Sequence, residues 1–117
     1  MIVSVKNPLS VFGRRIEFRF DNYAWILMCE VNKIELHQIG ELDEKLLLVT
    51  LIYAAYVSDC RYRAKRERYT LDDIYKLFKR LSVDELDQLK IAIANSRLLG
   101  KTMLEWADDS DEAEKKN

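Results

Sequence analysis

One histidine, His37, and two cysteines, Cys29 and Cys60, are the whole imidazole and thiol inventory of this 117-residue sequence. One imidazole cannot build a zinc site. The two cysteines stand in separate apolar segments, where a thiol is expected to be a buried structural group rather than half of a Cys-His pair. The carboxylate pairs Asp72-Asp73 and Asp84-Glu85 suggest acid-base chemistry, but both fall in the first turn of an expected helix, where negative charge complements the helix dipole. Gly100-Lys101-Thr102 imitates the end of a phosphate loop, yet no glycine stands five residues before Gly100. The expectation is a protein without catalytic residues, cofactor or metal.

What remains is charge. Arg61-Tyr62-Arg63-Ala64-Lys65-Arg66-Glu67-Arg68-Tyr69 interleaves cations with tyrosines, a composition able to grip phosphates and stack on bases. Cations at the carboxyl end of a helix also stabilise it, and their stems cover apolar surface. The chain carries 19 basic against 20 acidic side chains, so no global field draws it to nucleic acid or to an anionic membrane. The nearby acids, Asp59, Glu67, Asp72 and Asp73, are too few to satisfy this run, which leaves part of it for an acidic partner. The candidate protein-binding patch is Arg61, Arg63, Lys65, Arg66 and Arg68, with Trp25 and Trp106 as aromatic contacts and a second copy of the chain among the possible partners.

The elements that must position these residues follow from periodicity. Ile16, Phe18 and Phe20 alternate with Glu17 and Arg19 at the strand period, and a turn near Gly13 would fold this strand onto Val11-Phe12 or onto Ile2-Val3-Ser4-Val5. Asp21 caps a first helix with Ala24, Leu27, Met28 and Val31 on one stripe, ending near Asn32-Lys33. Leu42 to about Arg66 forms the longest helix. Its face of Leu46, Val49, Tyr53, Tyr56, Val57 and Cys60, with apolar residues around most of the rest, makes it central. Thr70 with Asp73 and Ser82 with Glu85 open a third and a fourth helix through capping boxes. The third carries Leu71, Ile74, Tyr75, Phe78 and Leu81, and the fourth turns Val83, Leu86, Leu89 and Ile93 inward and stops near Gly100. A short turn spans Met103 to Trp106. The fold expected is mostly α, with a small N-terminal β-hairpin packed on a bundle of about four helices. Residues 1–106 form one domain and 107–117 an acidic, disordered tail.

Three glycines and one proline suit long helices better than a many-turned β-sandwich. The cysteine count fits a reducing cytoplasm, no signal peptide is readable at the start, and the longest apolar run, Leu46 to Val57, is too short to span a membrane.

The order of segments resembles a known family. Phe18-Arg19-Phe20-Asp21-Asn22-Tyr23-Ala24-Trp25 runs from strand into helix, followed by Leu46-Leu47-Leu48-Val49-Thr50-Leu51-Ile52-Tyr53-Ala54-Ala55. Thr70-Leu71-Asp72-Asp73-Ile74-Tyr75-Lys76-Leu77-Phe78 and Leu98-Leu99-Gly100-Lys101 complete the pattern over roughly residues 10 to 102. This looks like the tail assembly chaperones of long-tailed bacteriophages and prophages. The resemblance implies a small, largely helical, non-enzymatic protein that binds the tape measure protein, helps recruit tail tube protein in the host cytoplasm and is absent from the mature virion. It further implies that this chain is the short form of a product that a ribosomal frameshift can extend. The basic stretch departs from the family's pattern. Two other readings fit the same helices: a helix-turn-helix DNA-binding regulator, and a structural phage tail or head-tail component. The acids opening the fourth helix, Asp84, Glu85 and Asp87, oppose the regulator, since they would repel phosphates.

Overall fold

The computed structural model of the protein describes residues 2–6, 15–98 and 101–102. β1 (Ile2–Lys6) and β2 (Arg15–Arg19) pair antiparallel, with Val3 opposite Phe18 and Val5 opposite Ile16. These four side chains are buried together, so the alternation turns one face of the hairpin into core. Of the two pairings open to β2, the one with the Ile2 segment is found. The turn around Gly13 lies outside the described residues.

α1 (Asn22–Asn32) begins where Asp21 accepts a hydrogen bond from the Ala24 N–H at 3.0 Å. The same carboxylate oxygen accepts from the Ser58 hydroxyl at 2.8 Å, which ties the start of α1 to the far end of α2 (Glu44–Tyr62). At the other end Asn32 donates to Thr50 Oγ1 at 2.9 Å. The two ties make α1 and α2 antiparallel neighbours. The buried stripe of α1 is Ala24, Trp25, Met28 and Cys29, rotated by part of a turn from the expected one, with Leu27 and Val31 only half-buried. A six-residue 3-10 helix, Leu36–Glu41, joins α1 to α2 and carries His37 in solvent.

α2 is the central helix, buried almost continuously from Val49 to Cys60. It is shorter at both ends than expected. Asp43 caps it, and it closes at Tyr62 because Ala64 takes a left-handed backbone (φ 55°). There the Ala64 N–H bonds Arg61 O at 3.2 Å and the Lys65 N–H bonds Cys60 O at 2.8 Å, the paired bonds of a Schellman closure. Residues 65–70 therefore form a loop without regular secondary structure, not a continuation of the helix. Alanine in this conformation is strained by roughly 1 to 2 kcal/mol, and glycine loses part of that advantage through its freer unfolded chain. Ala64→Gly should raise stability by about 0.5 kcal/mol, read as a Tm gain of about 2 to 4 °C in thermal unfolding.

α3 (Leu71–Arg80) and α4 (Val83–Asn95) both open with the expected capping boxes, Thr70-Asp73 and Ser82-Glu85. α3 buries Ile74 and also Leu77, which the expected stripe omitted; Leu71 stays exposed. α4 buries Leu89 and Ala92, while Val83 is 75% exposed rather than inward, because it sits in the first turn, before the helix meets the core. α4 stops at Asn95, well short of Gly100, because Ser96 turns its hydroxyl back onto Ile93 O at 2.6 Å. Two short strands follow, β3 (Arg97–Leu98) and β4 (Lys101–Thr102), where a continuing helix was expected. Gly100, the turn at Met103 to Trp106 and the acidic tail lie outside the described residues. No helix among the described residues is long and apolar enough to cross a membrane. The protein is mostly α, with an N-terminal hairpin packed on four helices.

Candidate protein-binding site

The five cations of the basic run separate into two groups once the end of α2 is built. Arg63, exposed just past the end of α2, folds back along the helix: its Nε donates to Asp59 Oδ1 at 3.1 Å, one turn earlier. Its Nη2 lies 2.6 Å from Glu17 Oε2 on β2, off the hydrogen-bond axis and so an ion pair rather than a hydrogen bond. Asp59 is 4% exposed, and its second cation is Arg19, whose buried Nε has no hydrogen bond and rests 3.8 Å from Asp59 Oδ1. The hydrogen bond from Arg63 to Asp59 pushes the guanidinium pKa up still further. Arg61 stacks over Tyr23 at 4.2 Å, and Arg19 over Tyr62 at 3.6 Å, in cation-π contacts that clamp the end of α2 to α1 and β2. Arg61 and Arg63 thus have partners within the fold.

Lys65, Arg66 and Arg68 are exposed and have no ion-pair partner among the described residues. They line a cavity of about 370 Å³ with Arg15 of β2, over a floor that includes Ile16, Tyr56, Cys60 and Tyr69. Tyr56 builds this cavity. Its hydroxyl accepts the Arg68 N–H at 2.6 Å and the Tyr69 N–H at 3.1 Å, pinning the loop to α2, and the two tyrosine rings meet edge to face at 5.5 Å. Burial holds the Tyr56 hydroxyl protonated far above its ordinary range, and burial likewise raises the Cys60 thiol beside it. Sequence reasoning identified the three loop cations but not Arg15 or Tyr56. Arg15 arrives from some fifty positions away through the hairpin, and a tyrosine that accepts two backbone N–H groups has no local signature.

Trp25 does not belong to this surface. It is 1% exposed, and its Nε1–H donates to Ser96 Oγ at 3.0 Å inside the core. An indole on the most buried stripe of α1 is spent on packing, which corrects the expectation that it meets a partner. Trp106 lies outside the described residues.

A second concave surface was not anticipated. Leu46 and Val49 of α2 and Leu71 and Tyr75 of α3 line an open, mainly apolar groove of about 600 Å³. Leu46 is 46% exposed there rather than buried on the α2 face. Lys45 and Lys79 flank the Tyr75 ring at 5.2 and 4.5 Å, and Lys45 draws the Tyr75 hydroxyl pKa below its ordinary value. Leu46, Leu47 and the apolar run behind them, interrupted by Thr50, were visible in the sequence. Their uncovered end was not.

Cys29 and Cys60 are buried on α1 and α2, and His37 is exposed on the connecting 3-10 helix. No three metal-ligating side chains come together among the described residues. α3 and α4 are joined through Leu81 and Ser82 alone, and the first turn of α4 presents Asp84 and Glu85. No protein-family model, curated protein or solved structure matches the chain.

Proposed function

We propose that the protein is a non-enzymatic tail assembly chaperone of a long-tailed phage or prophage, acting in the cytoplasm of the bacterial host and absent from the mature virion. In this reading it holds an apolar helical segment of the tape measure protein and helps recruit tail tube protein. Two things support it: the resemblance in segment order, and the α2/α3 groove. The groove is the observation that carries the reading. An amphipathic helix laid into an apolar cleft buries its own stripe against side chains such as Leu46, Leu71 and Tyr75, and that needs no reactive group.

The test is co-expression with the tape measure protein of the same genome. Leu46→Glu combined with Leu71→Glu places two charges in the groove at positions already exposed, so folding should be nearly unaffected. Recovery of the tape measure protein should fall by a factor of ten or more, since burying an unpaired carboxylate against an apolar partner costs on the order of 2 kcal/mol or more. Undiminished recovery with the folded double variant would remove the groove, and with it the proposed mode of binding.

A further inference from the structure

The cationic cavity carries an inference that stands whether or not the tape measure protein is the partner. Four of its lining residues, Arg15, Lys65, Arg66 and Arg68, are cations without an ion-pair partner among the described residues. The two acids that also line it are already engaged, Glu17 by Arg63 and Asp59 by Arg63 and Arg19. Glu67, the one acid within the basic run, does not line it. The cavity is thus a surplus of positive charge held in place by the Tyr56 hydroxyl.

We propose that this cavity is the docking site for the chain's own acidic C-terminal segment, with Asp108, Asp109, Asp111 and Glu112 set against Arg15, Lys65, Arg66 and Arg68. Charge complementarity is one support, since the segment holds the densest run of carboxylates in the sequence. Position is the other. Thr102 lies opposite Arg97, next to Ser96, which is bonded to Trp25. Asp21, one turn before Trp25, is bonded to Ser58, the neighbour of the cavity residue Asp59. Thr102 therefore lies towards the start of α1, which is tied to the end of α2 that gives Asp59 and Cys60 to the cavity. Asp108 to Glu112 stand six to ten residues beyond Thr102, a reach of roughly 20 to 35 Å.

A tethered segment meets its site at an effective concentration in the millimolar range, so ion pairs that are individually weak suffice to populate the docked form. The docked segment would cover the cavity against any acidic partner. Any such partner must then displace it, and competition of that kind favours partners of higher charge or longer contact.

Zero-length carbodiimide cross-linking of the full-length chain, in an equal mixture of isotopically labelled and unlabelled protein, tests this directly. Lys65 should link to Asp108, Asp109, Asp111 or Glu112 of the same chain, at about five times or more the yield of links from Lys45 or Lys90 to the same acids. The preference should disappear in about 0.5 M sodium chloride, where screening shortens the Debye length to about 4 Å. It should also disappear in the folded variant Arg15→Glu, Arg66→Glu, Arg68→Glu. Should that variant fail to fold, Asp108→Asn, Asp109→Asn, Asp111→Asn probes the same contact from outside the core, and the Lys65–Glu112 link should fall with it. Links spread evenly over the lysines would overturn the proposal, as would links of which half join a labelled to an unlabelled peptide, the statistical share for links between chains, which would give the cavity to a second copy.

Discussion

Trp25→Ala should cost about 3 to 5 kcal/mol of stability, a large part of the 5 to 15 kcal/mol a domain of this size holds. The indole is 1% exposed, among Phe18, Phe20, Met28 and the other side chains of one core cluster. Alanine would leave a cavity in the core cluster that Trp25 shares with side chains of the hairpin and of α2. The polar part of the loss is separable. Trp25 Nε1 donates to Ser96 Oγ, and Ser96 in turn donates to Ile93 O, so the pair fixes where α4 ends. Trp25→Phe keeps most of the volume and deletes the donor, and should cost about 2 kcal/mol. Urea unfolding followed by far-ultraviolet circular dichroism reads both, with midpoints in the order wild type, Trp25→Phe, Trp25→Ala. A Trp25→Ala variant with an unchanged midpoint would show that the side chain is not core and would return it to the list of surface residues.

The same residue illustrates what can be read from this sequence and what cannot. Local signals carried the elements well: Asp21, Thr70 and Ser82 each accept the backbone N–H that their residue types and spacing imply, and the period-two run ending in Phe20 is the inner strand of the hairpin. Helix ends set by geometry rather than by punctuation were hidden. α2 stops at an alanine with positive φ, and α4 stops because a serine hydroxyl bonds back to its last turn. Neither carries a glycine or proline to mark it.

Which face of a helix is inward was legible only where apolar residues were few. On α1, with Trp25, Ile26, Leu27, Met28 and Cys29 in succession, several stripes were compatible with the spacing, and the winning one is fixed by contacts with residues far along the chain, Ser58, Thr50 and Ser96. The basic run was plain in the sequence as a cluster. Its division into structural and free cations depends on Glu17 and Arg19, which approach only because β2 packs on α2.

That division gives the second large effect. Arg63→Glu should lower the thermal midpoint by about 10 °C, whereas Arg66→Glu should move it by no more than about 2 °C. The two substitutions are identical in chemistry and three residues apart, and a uniformly solvated patch would make them equivalent. They differ because Arg63 is the hydrogen-bonded countercharge of Asp59, a carboxylate 4% exposed, and also meets Glu17. Reversal would set three carboxylates against each other with only Arg19 to offset them. A carboxylate as buried as Asp59 is destabilised when a hydrogen-bonded cation is taken from it. Arg19 reduces that cost, at 3.8 Å and without a hydrogen bond.

Charge reversal across Arg61, Arg63 and Arg66 together would therefore not be a neutral probe of partner binding. Any loss of co-purification in such a triple variant would mix unfolding with the loss of a surface. The informative set is Arg15, Lys65, Arg66 and Arg68, whose charges can be reversed without removing either ion-pair partner of Asp59. Equal midpoints for Arg63→Glu and Arg66→Glu would mean that the Asp59 ion pairs do not form in solution, and the whole run would then be one exposed patch.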